Sequence, residues 1–475
     1  MPRYDVREWL AKVEELGELK KINGAHWNLE IGAITELAHD PKGLTPAVLF
    51  DQIPDYPEGY RVLANELCSL KRLALSMGLR DGSAMDQLKQ WREKIRDLKP
   101  IPPRFVDTAP VMENVHTGKD VDMFEFPSPL WHELDGGRYI GTAHSTITRD
   151  PDGGSVNFGT YRVMVHDRDT LGFFVSPGKH ARIHREKCHE KGQPCNVAIS
   201  FGHDPLLFGV SVLAIPYGVS EFDYAGGIRG EPIEVIRGPL TGLPIPATAE
   251  IVIEGESPPD EQRIEGPFGE FDGYYGSAER PEPIIKVKAV YHRYNPILCA
   301  APALPPSTGT YYFQSVLRSA HIWEELEKAG VPDVLGVWAH PAGTSYFLIV
   351  VQVKQRYHGH ARQAAVVASG CHTGAYLGRY VVVVDEDIDI TDSEDVLWAL
   401  CTRVDPVQDI DMLRRCWASP LDPIIPKGQP PLNSKAIIDA CRPYEWIKEF
   451  PAVAESSPQL RKATLEKWGA ILRGR

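Results

Sequence analysis

No C-x-x-C pair occurs in this 475-residue chain, although it holds eight cysteines: Cys68, Cys188, Cys195, Cys299, Cys371, Cys401, Cys416 and Cys441. That spacing excludes a zinc ribbon and a thioredoxin-type motif, and the thiols read as reduced and mostly buried. The chain is also short of positive charge. Lys and Arg number 51 against 64 Asp and Glu, giving a formal net charge of -13. With no basic block and no basic–aromatic stripe, a nucleic-acid partner is not expected. Long apolar runs are missing too: Phe347–Val353 and Tyr380–Val384 are strand-sized, so no membrane span is expected. Met1-Pro2-Arg3-Tyr4-Asp5 leads into a charged helix without a secretory apolar region, which reads as a cytoplasmic protein. There is no G-x-x-x-x-G-K-[ST] and no G-x-S-x-G, so nucleotide hydrolysis and serine-esterase chemistry have no support. Gly226-Gly227-Ile228-Arg229-Gly230 does not make a dinucleotide fingerprint, and no internal repeat or low-complexity tract is present.

What the chain has is ordinary globular composition, 43% hydrophobic and 24% charged, at a length that predicts two or three domains. The first region reads as α/β. Asp5 caps a helix carrying Trp9, Leu10, Val13, Leu16 and Leu19, further helices cover Glu30–His39, Leu67–Met77 and Met85–Leu98, and Ala47–Phe50 is a strand. Pro100-Ile101-Pro102-Pro103 closes it as a stiff linker. From there short β-branched and aromatic runs alternate with turns: Thr142–Thr148, Gly159–His166, Leu171–Val175, Leu207–Ile215, Ala249–Ile253 and Ile284–His292. This predicts an antiparallel sheet or barrel, with one helix at Ala181–Lys191. Beyond Pro305-Pro306, helices at His321–Ala329, Gly359–Ala368 and Ser393–Thr402 alternate with strands at Tyr346–Val353 and Tyr380–Val384. After a Pro-rich stretch at 420–431, Leu460, Leu465, Trp468 and Ile471 mark a last amphipathic helix, packed either on a neighbouring subunit or on its own domain. The expected divisions are 1–103, 104–305, 306–440 and 441–475.

Three local clusters carry chemistry. Glu265-Gly266-Pro267-Phe268-Gly269-Glu270 sets two carboxylates either side of a bend that Pro and two Gly keep out of helix. By itself it fits two solvated loop glutamates as well as one concave site. With a fixed cation between them, one acid can stay ionised while burial keeps the other protonated. In Asn157-Phe158-Gly159-Thr160-Tyr161-Arg162, regular strand geometry sends Asn157 and Arg162 to opposite faces, a separation that a bulge at Gly159 relaxes. Read alone, Arg162 fits a surface ion pair as readily as a catalytic role. Finally, Asn157, His180 and Glu221 offer an amide oxygen, an imidazole and a carboxylate. That set suits Mg²⁺ or Mn²⁺, though its spacing is no signature. The spacing of His184, Cys188, His189 and Cys195 fits no standard zinc site, and helix-surface histidines explain it better.

In this order, with Asp135-Gly136-Gly137-Arg138-Tyr139-Ile140-Gly141-Thr142 ahead of them and Asn433-Ser434-Lys435 behind, the motifs resemble the UbiD decarboxylases over nearly the whole chain. The N-x-G-x-Y-R form resembles members acting on aromatic acids. The resemblance implies an α/β N-terminal region, a central split β-barrel binding flavin, and a C-terminal α/β oligomerisation domain. It implies prenylated FMN, with Thr142, Asn157, Phe158, Thr160, Tyr161, Arg162, Lys179, His180, Ser211, Val212, Leu213, Glu221 and Lys435 around it. Asn157, His180 and Glu221 would bind Mn²⁺ or Mg²⁺, with K⁺ on main-chain oxygens near Phe158 and Ser211–Leu213. Arg162, Glu265 and Glu270 would be catalytic.

Decarboxylation at an sp² carbon leaves charge that no side chain can accept, so a cofactor must carry that step. The family reaction, reversible and non-oxidative, runs through a covalent substrate–cofactor adduct, with Glu270 the expected proton donor and Glu265 the ionised partner of Arg162. An aryl-CoA decarboxylase, a non-catalytic subunit of an aryl carboxylase complex and an ordinary FMN oxidoreductase are the alternatives. The resemblance also implies a homodimer or homohexamer and dependence on a flavin prenyltransferase. A wall formed by 303–312, without acid or base in Leu304–Gly309, points to a monocarboxylate arene.

Overall fold

The computed structural model describes residues 5–39, 45–276, 279–304 and 312–472. At the N-terminus the Asp5 carboxylate accepts the Glu8 N–H at 2.8 Å and starts helix Val6–Glu15. Ser83 and Asp86 form a reciprocal capping box on helix Ala84–Arg96, satisfying two of the amides that a helix start leaves free. The neighbouring sheet runs Leu19–Asn23, Ala47–Asp51, Arg61–Ala64 and then Ile297–Ala300. The last strand comes from far along the chain and pairs parallel with Arg61–Ala64. The first region is therefore completed in space by residues that sequence order assigns to the second.

The central sheet has ten strands, every pairing antiparallel. Strand Arg280–His292 is its spine, joined by Ile251–Ser257, Thr170–Gly172, Gln262–Glu265 and Asn114–Thr117. A mixed five-stranded sheet follows, in the order Val334–Ala339, Leu348–Val353, Tyr380–Val384, Leu432–Asp439, Ile410–Trp417. Helices Tyr312–Lys328 and His360–Gly370 pack on it. No helix among the described residues is long and apolar enough to cross a membrane.

The structure ends the first helix at Glu15, so Leu19 opens the strand Leu19–Asn23 instead of lying on the helix, and it changes the type of one element outright. Leu207–Ile215, expected as a strand, lies in helix Pro205–Ser211 and the turn after it. Asp204 caps this helix and Pro205 opens it, and all seven helical residues are buried. An apolar run buried on every side has no helical stripe to read, so it imitates a core strand. The C-terminal helix spans Pro458–Leu472, and only Gly469 in it is buried. The described chain thus leaves Leu460, Leu465, Trp468 and Ile471 uncovered.

Below the N-terminal sheet, Glu66 is 3% exposed and accepts the Cys299 thiol at 3.1 Å. Burial pushes its carboxyl up to about 8. A carboxyl raised on folding favours the fold fully below its unfolded value, and that contribution drains away as pH rises through the folded one. Glu66→Gln is therefore expected to gain on the wild type between about pH 4.5 and 8, by on the order of 5 kcal/mol at the upper end. Urea denaturation of both proteins at pH 5 and pH 8.5 checks this, and an equal difference at the two pH values refutes it.

Candidate active site

One cavity of ≈ 250 Å³ lies between the central sheet and the C-terminal sheet. Two segments build its carboxylate wall by locking each other. Gly136 donates its N–H to the Pro267 carbonyl at 2.8 Å. A Cβ at Gly136 would fall 1.9 Å from the Gly266 carbonyl oxygen, so no other residue allows that approach. Asp135 accepts the Gly269 N–H through one carboxylate oxygen and the His132 N–H through the other, each at 3.0 Å. The bend is thereby fixed with Glu265 and Glu270 on either side of Arg162.

Arg162 Nε donates to Glu265 Oε1 at 2.9 Å, and its Nη1 donates to Glu270 Oε1. The guanidinium lies 3.8 Å from the centre of the Phe174 ring. Burial alone would lower the Arg162 pKa, but Glu270 and Glu265 outweigh it and hold the cation above its ordinary range. Burial raises the Glu265 carboxyl against the pull of Arg162. The two acids are not equivalent. Glu270 lines the cavity, whereas Glu265 is fully buried behind the arginine. Gly172 makes room for it, because a Cβ there would fall 2.4 Å from Glu265 Oε2.

Asn157, His180 and Glu221 all line the same cavity although 64 residues separate the outer two. Strand Val156–Gly159 ends before Thr160-Tyr161-Arg162, and the next strand starts at Val163. This break, rather than a bulge inside one strand, lets Asn157 and Arg162 both reach the cavity. Glu221 accepts Asn157 Nδ2 at 3.0 Å and the Phe158 N–H at 2.8 Å. It is 4% exposed and pairs with no Lys or Arg among the described residues. Burial without a cation pushes its carboxyl up to about 7.

This donor set fits a divalent ion, which would supply the counter-charge that Glu221 lacks. His180 fits the same role. Burial, then the charges of Lys179 and His372, lower its pKa and keep the imidazole neutral, the form that ligates metal. Asn157 Oδ1 accepts the Tyr161 hydroxyl at 3.0 Å and keeps a second lone pair.

An anion fits beside them. Helix His180–Glu190 begins at the cavity with no side-chain cap from Lys179, and the positive pole of a helix start suits a phosphate. Lys179 Nζ sits 4.3 Å from the Tyr376 ring centre. Burial, then the nearby charge of Arg318, lower it to about 8.

Thr142, Thr160, Tyr161, Ser211, Val212 and Leu213 also line the cavity. Thr160 Oγ1 donates to the His144 carbonyl at 2.7 Å and lies 2.6 Å from Ser211 Oγ. Phe158 lies behind this wall, packed on Phe222 and His203.

Lys435 is not among the lining residues. Its ammonium donates to the carbonyls of Ser369, Gly374 and Ala375 at 2.8, 3.2 and 2.7 Å. It closes the end of helix His360–Gly370, where a cation meets the negative helix pole. Residues 305–311 of the expected opposite wall lie outside the described residues. The described part of that wall adds Gln314, Arg318, Tyr346 and His372, which sequence reasoning missed. Arg318 is held by the Ser345 and Thr373 carbonyls at 2.9 and 2.8 Å, its guanidinium 3.8 Å from the Tyr346 ring centre. Its place on the buried, mixed face of a helix left no local signal beyond a polar residue in an apolar stripe.

The cavity thus carries a buried arginine between two acids, together with a buried carboxylate, an imidazole and a lysine whose donors fit a divalent ion and an anion. Three family models cover most of the chain. They are the N-terminal, Rift-related and C-terminal domains of 3-octaprenyl-4-hydroxybenzoate carboxy-lyase, at residues 10–91, 104–305 and 311–440. The chain belongs to the UbiD family and is a decarboxylase of that class. It is 33% identical to the pyrrole-2-carboxylic acid decarboxylase of Pseudomonas aeruginosa, over 98% of this chain and 97% of that one. Among solved structures, the closed form of the Sedimentibacter hydroxybenzoicus vanillic acid decarboxylase superposes with TM-score 0.85 at 30% identity, covering 98% and 99% of the two chains. The UbiD-class enzyme HmfF from Pelotomaculum thermopropionicum, in complex with FMN, gives 0.83 at 30%, covering 98% and 100%. An evolved dimeric form of HmfF in complex with prenylated FMN gives 0.83 at 28%.

Proposed function

We propose that this enzyme catalyses reversible, non-oxidative decarboxylation of an aromatic or α,β-unsaturated carboxylic acid with prenylated FMN, and that Glu270 returns the proton. The observation that carries this reading is the asymmetry of the two acids around Arg162: Glu270 faces the cavity and Glu265 does not. When bound, prenylated FMN supplies the electron sink for the carbon–carbon cleavage. Arg162 orients the incoming carboxylate, Glu265 stays ionised to hold Arg162 in place, and Glu270 delivers a proton to the carbon that loses CO₂. Phe174, Phe268 and Phe271 line the reacting end and exclude water.

The ten-stranded sheet is the counterpart of the family's split barrel. Asn157, His180 and Glu221 would hold Mn²⁺ or Mg²⁺ against the flavin phosphate, with Lys179 and the start of helix His180–Glu190 completing the cradle. Main-chain oxygens near Phe158 and Ser211–Leu213 would take K⁺. The uncovered face of helix Pro458–Leu472 suits assembly with further copies of the chain. Dependence on a flavin prenyltransferase and a cytoplasmic location follow from the same reading.

The metal end has its own test. Glu221→Gln keeps the shape and one of the two hydrogen-bond acceptors but removes the charge, so bound divalent metal and bound flavin should both fall at least tenfold. Elemental analysis and flavin absorbance of the purified variant read this directly, and full occupancy of both would refute the cradle. The aromatic-acid reading rests on CO₂ release in a screen of free acids and CoA thioesters, using protein co-expressed with a prenyltransferase. Release only from the thioesters would transfer the assignment to that class.

A further inference from the structure

Away from the cavity, His116, Glu125 and His292 bring one ligand atom each to within 4.8 Å of one another. None of the three lines the active-site cavity. Strand Asn114–Thr117 runs antiparallel to Arg280–His292 with His116 opposite Val290 and His292 opposite Asn114. The two histidines are therefore diagonal neighbours on one face of the sheet. Their rings meet edge to face with centroids 5.2 Å apart. Glu125 arrives from the short helix Met123–Glu125, which Asp122 caps.

The protonation pattern is that of a ligand set. His292 Nδ1 lies 2.9 Å from the Arg293 carbonyl, which can only accept, so Nδ1 carries the proton and the neutral ring has its lone pair on Nε2. That Nε2 makes no hydrogen bond of good geometry, although His292 is 3% exposed. It points at Glu125 Oε1, 3.4 Å away. His116 Nδ1 is 2.9 Å from Glu125 Oε2 and also lacks hydrogen-bond geometry. The Tyr60 hydroxyl donates to Glu125 Oε1 at 3.1 Å and steadies the carboxylate from behind. No Lys or Arg pairs with Glu125 among the described residues. Phe126 closes the site, its ring centre 5.5 Å from that of His292.

We propose that His116, Glu125 and His292 bind a second divalent cation of the zinc class. Two imidazoles and a carboxylate are a borderline donor set, distinct from the harder site at Asn157, His180 and Glu221. At metal–ligand distances of about 2.0–2.1 Å, tetrahedral ligands stand roughly 3.3 Å apart. Here the two imidazole nitrogens lie 2.9 and 3.4 Å from different oxygens of Glu125 and all three ligand atoms lie within 4.8 Å of one another, so binding needs only a small inward shift of the rings. His116 is 30% exposed in its side chain, so water can enter the fourth position. The ligands come from three separate elements, and the ion would tie an outer strand and its following turn to the spine of the central sheet. The three line neither the active-site cavity nor the smaller one beside the N-terminal helix, and the role assigned to the ion is structural.

The test titrates purified holoenzyme with Co²⁺ in excess Mg²⁺, following bound metal and the visible ligand-field band of low-coordinate Co²⁺. Wild type should bind one equivalent more than His116→Ala, with the band displaced by Zn²⁺ and decarboxylation unchanged. His116→Ala removes a partly exposed ring and spares the core, and His292→Gln should lose the same equivalent. Zn²⁺ should raise the unfolding midpoint of wild type and leave that of His116→Ala where it was. Equal Co²⁺ stoichiometry in wild type and His116→Ala, or no band in wild type, would overturn the site.

Discussion

Glu270→Gln is expected to abolish decarboxylation while the purified protein keeps its flavin. The substitution keeps the shape and one hydrogen-bond acceptor for Arg162 but removes the only acid of the pair that meets the cavity. Loss of general acid catalysis costs about 10²–10⁴ in rate, so turnover should fall to the limit of detection. Flavin should stay bound because Lys179, His180 and Glu221, the proposed cradle for its phosphate, are untouched. Glu265→Gln makes the control. It removes the charge behind Arg162 without reaching the cavity, so it should lower turnover less and act mainly by loosening the arginine. Steady-state rates and flavin absorbance of both variants decide the matter. Turnover of Glu270→Gln within tenfold of wild type would end its role as proton donor. Loss of flavin along with activity would make it a cofactor-retaining residue instead.

Why the sequence pointed to this pair, and not to all of the site, has a physical explanation. Short-range signals survive in the chain. Asp5, Ser83 and Asp392 cap helices where hydroxyl and carboxylate side chains precede an apolar stripe, and strand Tyr380–Val384 is an unbroken β-branched run. The Gly266-Pro267 bend and the Asp135-Gly136 segment were also visible, because only such residues permit their close approach. Convergence was not local. Asn157, His180 and Glu221 come from a strand, a helix start and another helix start, so only the order of motifs along a familiar family joined them.

Lys435 shows the opposite failure. It stands in a strand that pairs with Ile410–Trp417 across a register shift between Leu413 and Cys416, and Arg415 takes a left-handed φ of 58° there. Alternation is broken at that point, so neither strand was legible and the direction of Lys435 could not be counted out. Arg318 was hidden by its helix, where a buried cation has the same sequence appearance as an exposed one.

Arg162→Ala is expected to be the most damaging single change to stability at this site, and its cost should depend on pH. Arg162 is the cation between Glu265 and Glu270, which are 0% and 4% exposed. Breaking a buried pair by removing one partner typically costs about 3–5 kcal/mol, because the remaining charge is left uncompensated. Here two carboxylates are left, along with the face of Phe174 on which the guanidinium stacks. The protein can relieve the strain by taking up protons. Burial already raises Glu265, and without Arg162 only the weaker pull of Arg280 opposes it. Groups raised on folding lose their contribution as pH climbs through their folded values. The deficit of Arg162→Ala against wild type should therefore be smallest near pH 5 and grow toward pH 8. Urea denaturation of both proteins across that range measures it. Arg162→Lys supplies the charge without the fork, since one ammonium cannot hold both carboxylates in the planar geometry of a guanidinium. It should recover much of the stability at pH 8 and little of the activity. A deficit of Arg162→Ala that stays constant with pH would mean that packing against Phe174, and not charge, is what the arginine contributes to the fold.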